Sequence, residues 1–188
     1  MDTIQALQER VSIGVLGAPG PSREEIDTLL KAAVRAPDHG VLRPWRFLVL
    51  EGEQLHQLGE VFVKAALQDD PSLTAEEQEK ARTRPLRAPC IITVVSENTL
   101  NHKIPVLDQV LATGAAAQNI MVAAHALGIG AMWRTGAMAM HSYVKQQLGF
   151  EDKDDIVGFI YLGTPTGSIK NIPPTNPNDY IREFSPQG

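Results

Sequence analysis

Residues 107–127, LDQVLATGAAAQNIMVAAHAL, run for six turns of helix with one charged side chain, Asp108. Alanine and other small residues recur throughout, so the helix is apolar nearly all round and must be covered on most sides. A chain of 188 residues has little material for that. The segment therefore predicts a helix at the centre of the molecule, and a partner subunit is one way to complete its cover. Small residues suit such an interface because they let two backbones come close.

The remaining elements are shorter. Residues 2–10 read as a helix with Ile4 and Leu7 inward, followed by the glycine-rich, irregular VSIGVLGAPGPS. Ser22 and Glu25 form a capping box for a helix with Ile26, Leu29, Leu30, Ala33 and Val34 on one side, and Pro37 stops it. Trp45–Leu50 reads as a strand and 54–68 as a helix. Thr74 and Glu77 open another helix that ends before Pro85, and CIITVV at 90–95 reads as a central strand. After Gly128 and Gly130 come AMWRTG, a short helix over 141–148 closed by Gly149, and the strand IVGFIYL at 156–162. The tail from 164 to 188 is polar and proline-rich and cannot form a core of its own. Strands and helices mix without a regular βαβ rhythm, so the expectation is a single α+β domain over 1–188.

Bulk properties narrow the function. Net charge is −5 with no basic block, which argues against nucleic acid or an anionic membrane surface as a partner. The N-terminus lacks the pattern of a signal peptide, and no apolar run is long enough to span a bilayer. The single cysteine, Cys90, excludes an internal disulfide and fits a reducing compartment, so a cytoplasmic protein is expected. The five histidines show no metal-ligand spacing, and there is no Walker loop or GxSxG elbow. Asp38 and Asp108 read as isolated carboxylates, and Cys90 as an inert core thiol. With no acid/base constellation, the pattern favours chemistry carried by a bound cofactor.

Three places offer ligand contacts. Arg10 and Ser12 end the first helix, and a guanidinium with a hydroxyl can hold a phosphate. A solvated helix end is the simpler reading of that pair alone. Arg35 closes the second helix, where the helix dipole is reason enough for a cation. His39 and Arg43 hang in the connector APDHGVLRPWRF, stiffened by Pro37 and Pro44. In GIGAMWRTG, 128–136, Trp133 could stack and Arg134 could pair with a phosphate, or the segment could be a helix exit with a buried tryptophan. Gly128-x-Gly130 follows a helix rather than a strand and is not a dinucleotide fingerprint.

Six segments in order, RVS at 10–12, RAPDHGVLRPWRFLVLEG at 35–52, RAP at 87–89, NHKIP at 101–105, GIGAMWRTG at 128–136 and IVGFIYLGTP at 156–165, resemble the FMN-dependent nitroreductase family. Within it they resemble the small YdjA-like NAD(P)H nitroreductases. The resemblance implies an intertwined homodimer of α+β subunits, with a mainly antiparallel central sheet flanked by helices. The long helices form much of the interface and the tails pack on the partner. Two FMN molecules would sit in the interface, touching both subunits. Arg10, Val11 and Ser12 would line the FMN phosphate, ribityl chain and pyrimidine edge, and Arg35 and His39 would be further flavin contacts. Trp133, Arg134 and Thr135 would line the ring and phosphate. Ala123, Ala124, His125, Ala126, Leu127 and Gly128 match a segment assigned to the nicotinamide nucleotide. No side chain is expected to be catalytic. Val11, Gly14 and Val15 stand where the family usually has basic residues, and Val41 and Arg43 stand where many members have asparagine and glutamine.

The activity so implied is reduction of FMN by NAD(P)H as co-substrate, then reduction of a small organic electron acceptor, nitroaromatic or quinone-like, in ping-pong order. The alternatives are a flavoenzyme of this fold with another reaction, and a dimeric flavin or tetrapyrrole binder without turnover.

Overall fold

The computed structural model describes residues 1–168, 171 and 173–184. Five antiparallel strands form one sheet: β1 (Leu16–Gly17), β2 (Trp45–Glu51), β3 (Cys90–Ser96), β4 (Gly130–Arg134) and β5 (Asp155–Pro165). β3 lies between β2 and β5, while β4 and β1 share the other edge of β5. Every residue of β3 is buried, Thr93 and Ser96 included, which explains its largely apolar sequence: a strand covered on both faces has no solvent-facing side.

Two layers of helix provide that cover. On one face, Cys90, Ile92 and Val94 meet α2 (Arg23–Ala33) and α5 (Val106–Ala126) through Ile26, Leu29, Ala116 and Ile120. On the other, Ile91 and Val95 meet α3 (Glu53–Asp69), α6 (Ala137–Met140) and α7 (Ser142–Gln147) through Leu58, Phe62, Met138 and Val144. Both expected capping boxes form, at Ser22/Glu25 for α2 and at Thr74/Glu77 for α4 (Ala75–Arg82). α7 ends at Gly149, as read, with the Phe150 N–H bonded to Lys145 O at 3.1 Å.

β5 carries one extra residue opposite β3. The register slips between Val94↔Gly158 and Val95↔Ile156, a bulge that switches the faces of β5. Ile156 packs on the α3 side, yet Ile160, four residues on, packs on the α5 side. The Trp133 indole N–H donates to the Val157 carbonyl beside this bulge at 3.1 Å. A side chain at Gly158 would collide with that indole.

Several readings need correction. In α1 (Thr3–Glu9), Ile4 and Leu7 point outward, 62% and 52% exposed, and Ala6 is the buried residue. A helix of two turns takes its inner face from what it docks on, and the small Ala6 permits closer docking than either larger side chain. AMWRTG is not a loose helix exit, because Gly130–Arg134 is a strand on β5. α6 precedes the short helix expected at 141–148, and α7 itself covers Ser142–Gln147. β1 interrupts the stretch read as wholly irregular. Of the tail expected over 164–188, Ile169, Lys170, Ile172 and 185–188 lie outside the described residues.

Cys90 is fully buried, and burial, aided by the charge of Glu51, pushes its thiol up to about 12. A thiol reagent at pH 8 should therefore leave the folded protein unlabelled and react once the chain is unfolded in guanidinium. Stoichiometric labelling of the native protein would contradict the doubly covered sheet.

Candidate cofactor site

At the C-terminal end of α5 lies a cavity of about 1050 Å³ bounded by Arg10, Val11, Ile13, His125, Gly128 and Ile129. Asn171, Pro173, Pro174, Thr175 and Pro177 of the tail also line it. Beyond it, Tyr180, Ile181 and Phe184 are exposed. The segment 10–14 is strapped to the edge of β4 by the Ile13 N–H, which donates to Ala131 O at 2.9 Å. Arg10 uses its backbone N–H to close α1 on Ala6 O at 3.2 Å. Its side chain is half-buried, and among the described residues no hydrogen bond or ion pair engages the guanidinium. The Nε2 atom of His125, on the same cavity, is buried without a partner.

β4 sends its side chains to alternate faces. Trp133 turns toward the α5 side, packed on that core and bonded to Val157. It is thus a wall fixed by the sheet rather than a free stacking ring. Arg134 stacks over the Tyr161 ring at 5.4 Å. Burial raises the Tyr161 phenol while Arg134 acts in the opposite direction. The Arg134 Nε is buried without a partner, and its Nη2 lies 3.8 Å from where a Cβ on residue 14 would stand. A bulky basic side chain at Gly14 would press on the guanidinium already there. Ser12 and Thr135 are exposed on the strap and just after β4.

The other group stands at the opposite end of α5. His39, Gly40 and Val41 form a single 3-10 turn, and the chain takes positive φ at Gly40 (73°), Val41 (57°) and Arg43 (50°). Left-handed geometry is uncommon for non-glycine residues, most of all for a β-branched one. Two contacts hold the turn. The Asp38 carboxylate accepts the Arg43 N–H at 2.6 Å, and Ile104 packs so tightly on Gly40 that a Cβ there would collide with it. His39 Nδ1 lies 2.8 Å from Asp108 Oδ2. Asp38 and Asp108 are therefore not isolated. His39 and Arg43 face different depressions: His39 sits with Pro37, Asp108 and Leu111, and Arg43 with Arg46, Glu97 and Lys153. Arg35 is exposed near the end of α2.

The fold thus brings Arg10, Val11, His125 and Gly128 together and sets Arg134 beside their strap. His39 is elsewhere, since Asp108 and His125 are seventeen residues apart on α5, about 25 Å along its axis, and Arg35 follows the end of α2, where the Ala32 carbonyl accepts from Asn119 of α5 at 3.0 Å. The nicotinamide reading of 123–128 splits. Ala124 is fully buried and has no surface to offer a nucleotide, Ala123 packs against the core, and Ala126, Leu127 and Gly128 are exposed. Sequence reasoning missed Gln109. Its buried amide accepts the Thr99 N–H at 2.8 Å and donates to Thr99 O and Ile104 O at 3.0 and 3.3 Å. An amide in the first turn of the mostly apolar α5 was the available signal.

A family model described as the nitroreductase family matches residues 7–164. The Escherichia coli K12 protein named "Putative NAD(P)H nitroreductase YdjA" is 38% identical over 98% of this chain and 100% of its own length. A Haemophilus influenzae relative with the name "Putative NAD(P)H nitroreductase" is 34% identical over 87% of this chain and 89% of its own. Among solved structures, a nitroreductase-like family protein from Bacillus cereus superposes with a TM-score of 0.83 at 21% identity, covering 98% of this chain and 96% of that one. A nitroreductase with bound FMN from Desulfitobacterium hafniense gives 0.69 at 22% identity, over 98% and 100% of the two chains. With the model spanning most of the chain and a full-length relative this similar, the chain belongs to the nitroreductase family.

Proposed function

We propose that this chain is an FMN-dependent, NAD(P)H-oxidising reductase of small organic acceptors, acting as a homodimer with two flavin sites built from both subunits. The observation that carries the reading is the separation of the two groups of ligand residues. They lie about 25 Å apart along α5, farther than an extended FMN reaches, with an uncovered apolar face between them. Leu107 and Leu111 are 65% and 63% exposed, and Val110, Gly114, Ala115 and Val122 continue the stripe half-buried. A two-fold crossing of α5 on its partner inverts one helix against the other. That sets the His39 end of one subunit beside the Arg10 end of its partner.

Gly114 supports this crossing. Glycine inside a helix costs about 0.5–1 kcal/mol relative to alanine. A Cβ at Gly114 would meet nothing within 4 Å, so nothing in its own subunit requires the glycine. A close approach by a second helix does.

The residues present fit FMN. Arg10 is a half-buried guanidinium without a partner among the described residues, beside a large cavity. Arg134, with its orphaned Nε, brings a second cation to the strap, in the region where Val11, Gly14 and Val15 supply none. Both suit an anionic group. Bound FMN would supply the redox chemistry between NAD(P)H and the second substrate. The chain's own work would be to hold and polarise: Arg10 would stabilise negative charge at the phosphate and pyrimidine edge, the backbone N–H groups at Thr135 and Gly136 would serve as donors to the ring, and Trp133 would support the wall behind it. The names and bound FMN of the relatives support the same assignment. An exposed flavin face suits nitroaromatic and quinone-like acceptors, which accept electrons readily and need no dedicated proton donor.

Purified protein should be yellow, and NADH or NADPH should bleach the flavin band without air. A flavin spectrum that neither nucleotide bleaches would instead mark a binding protein. Arg10→Ala should lose about 1.5–3 kcal/mol of FMN binding, read as flavin lost on gel filtration with unchanged circular dichroism. Gly114→Leu should shift the protein toward monomer in sedimentation and release flavin in the same step. Retention of FMN by a Gly114→Leu monomer would refute the two-subunit site.

A further inference from the structure

Asp108 is the only charged residue of α5. It stands on the outer side of the helix between the exposed Leu107 and Leu111, on the face that the proposed partner covers. A carboxylate there is costly to desolvate unless it is paired. Its pair is His39, sixty-nine residues away in sequence, with Nδ1 at 2.8 Å.

Both partners are tied to one frame. Gln109, next to Asp108, clamps the loop through Thr99 and Ile104. Ile104 packs against Gly40, next to His39. The separation of the two backbones is therefore set by buried contacts, and the 2.8 Å contact joins side chains that are 66% and 36% exposed. A carboxylate only accepts, so the contact assigns the hydrogen of this ring to Nδ1. Nε2 is left as the one ring nitrogen available to a ligand, accepting when the ring is neutral and donating when it is charged.

We infer that Asp108 is the positioning residue of His39, fixing ring orientation and tautomer so that Nε2 is presented to the flavin held with the partner subunit. The inference rests on the flavin site proposed above. A simpler role for Asp108, a favourable charge in the first turn of α5, would act without His39, and a double-mutant cycle separates the two.

The measurement is FMN affinity of the full-length apoprotein, by quenching of flavin fluorescence, for wild type, Asp108→Ala, His39→Ala and the double variant. Loss of the oriented contact should weaken FMN about tenfold in Asp108→Ala. The same change in the His39→Ala background should alter affinity less than twofold. Nitrogen-15 shifts of His39 should show hydrogen on Nδ1 in wild type and a mixture of tautomers in Asp108→Ala. Asp108→Asn, which preserves shape, takes the place of the alanine variant if that fails to fold. Equal losses in both backgrounds, or none in either, overturn the inference while leaving the flavin site intact. Wild-type protein that binds no FMN overturns both.

Discussion

Burial of β3 from both sides is the constraint on which the rest of the structure depends. Its seven residues are inaccessible, and the two cores they divide contain most of the large buried side chains. Because β3 alternates Cys90, Ile92 and Val94 with Ile91 and Val95, each helical layer must bring its own apolar stripe. α2 and α5 cover one face, and α3 with the short α6 and α7 covers the other. The bulge at Val157 and Gly158 lets β5 serve both cores, and Trp133 takes up the carbonyl beside it.

That arrangement leaves α5 half served. Ala112, Ala116, Ile120 and Ala124 are consumed by the sheet, while Leu107 and Leu111 are exposed and Val110, Gly114 and Ala115 are only half-buried. Apolar surface of this extent is characteristic of an interface. The residues proposed to hold the cofactor lie toward the two ends of that same helix, so in the proposed dimer closing the interface would complete the site. Cofactor retention and association would then be linked, each favouring the other by mass action.

Polar contacts in this chain act mainly as clamps. Gln109 holds the loop before α5. The buried Asp154 accepts the N–H groups of Asn98 and Glu151, each at 2.9 Å, and so ties the end of β3 to the start of β5. Asp38 holds Arg43 in its left-handed turn. Each of these groups is engaged with backbone N–H or C=O groups. Among the described residues the buried side-chain atoms without a partner are Thr93 Oγ1 in β3, His125 Nε2 and Arg134 Nε, and the last two lie near the strap at residues 10–14.

Local chemistry was enough to read much of this from sequence. The two capping boxes, the β-branched run of β3, the Gly149 stop and the apolar α5 follow from backbone sterics and from the period of side chains, which act over a few residues. The motif segments that resemble nitroreductases were legible in the same way, and the family model agrees with them. Other features depend on distant neighbours. β4 is a strand because β5 offers it an edge, although its own residues follow a helix exit and begin with a glycine. Ile4 and Leu7 face outward because docking on α5 chose Ala6. Asp108 has a partner only because the fold returns residue 39 to the start of α5. Hydrogen bonds and packing over such separations have no periodic trace in the chain, so only the tertiary structure decided them.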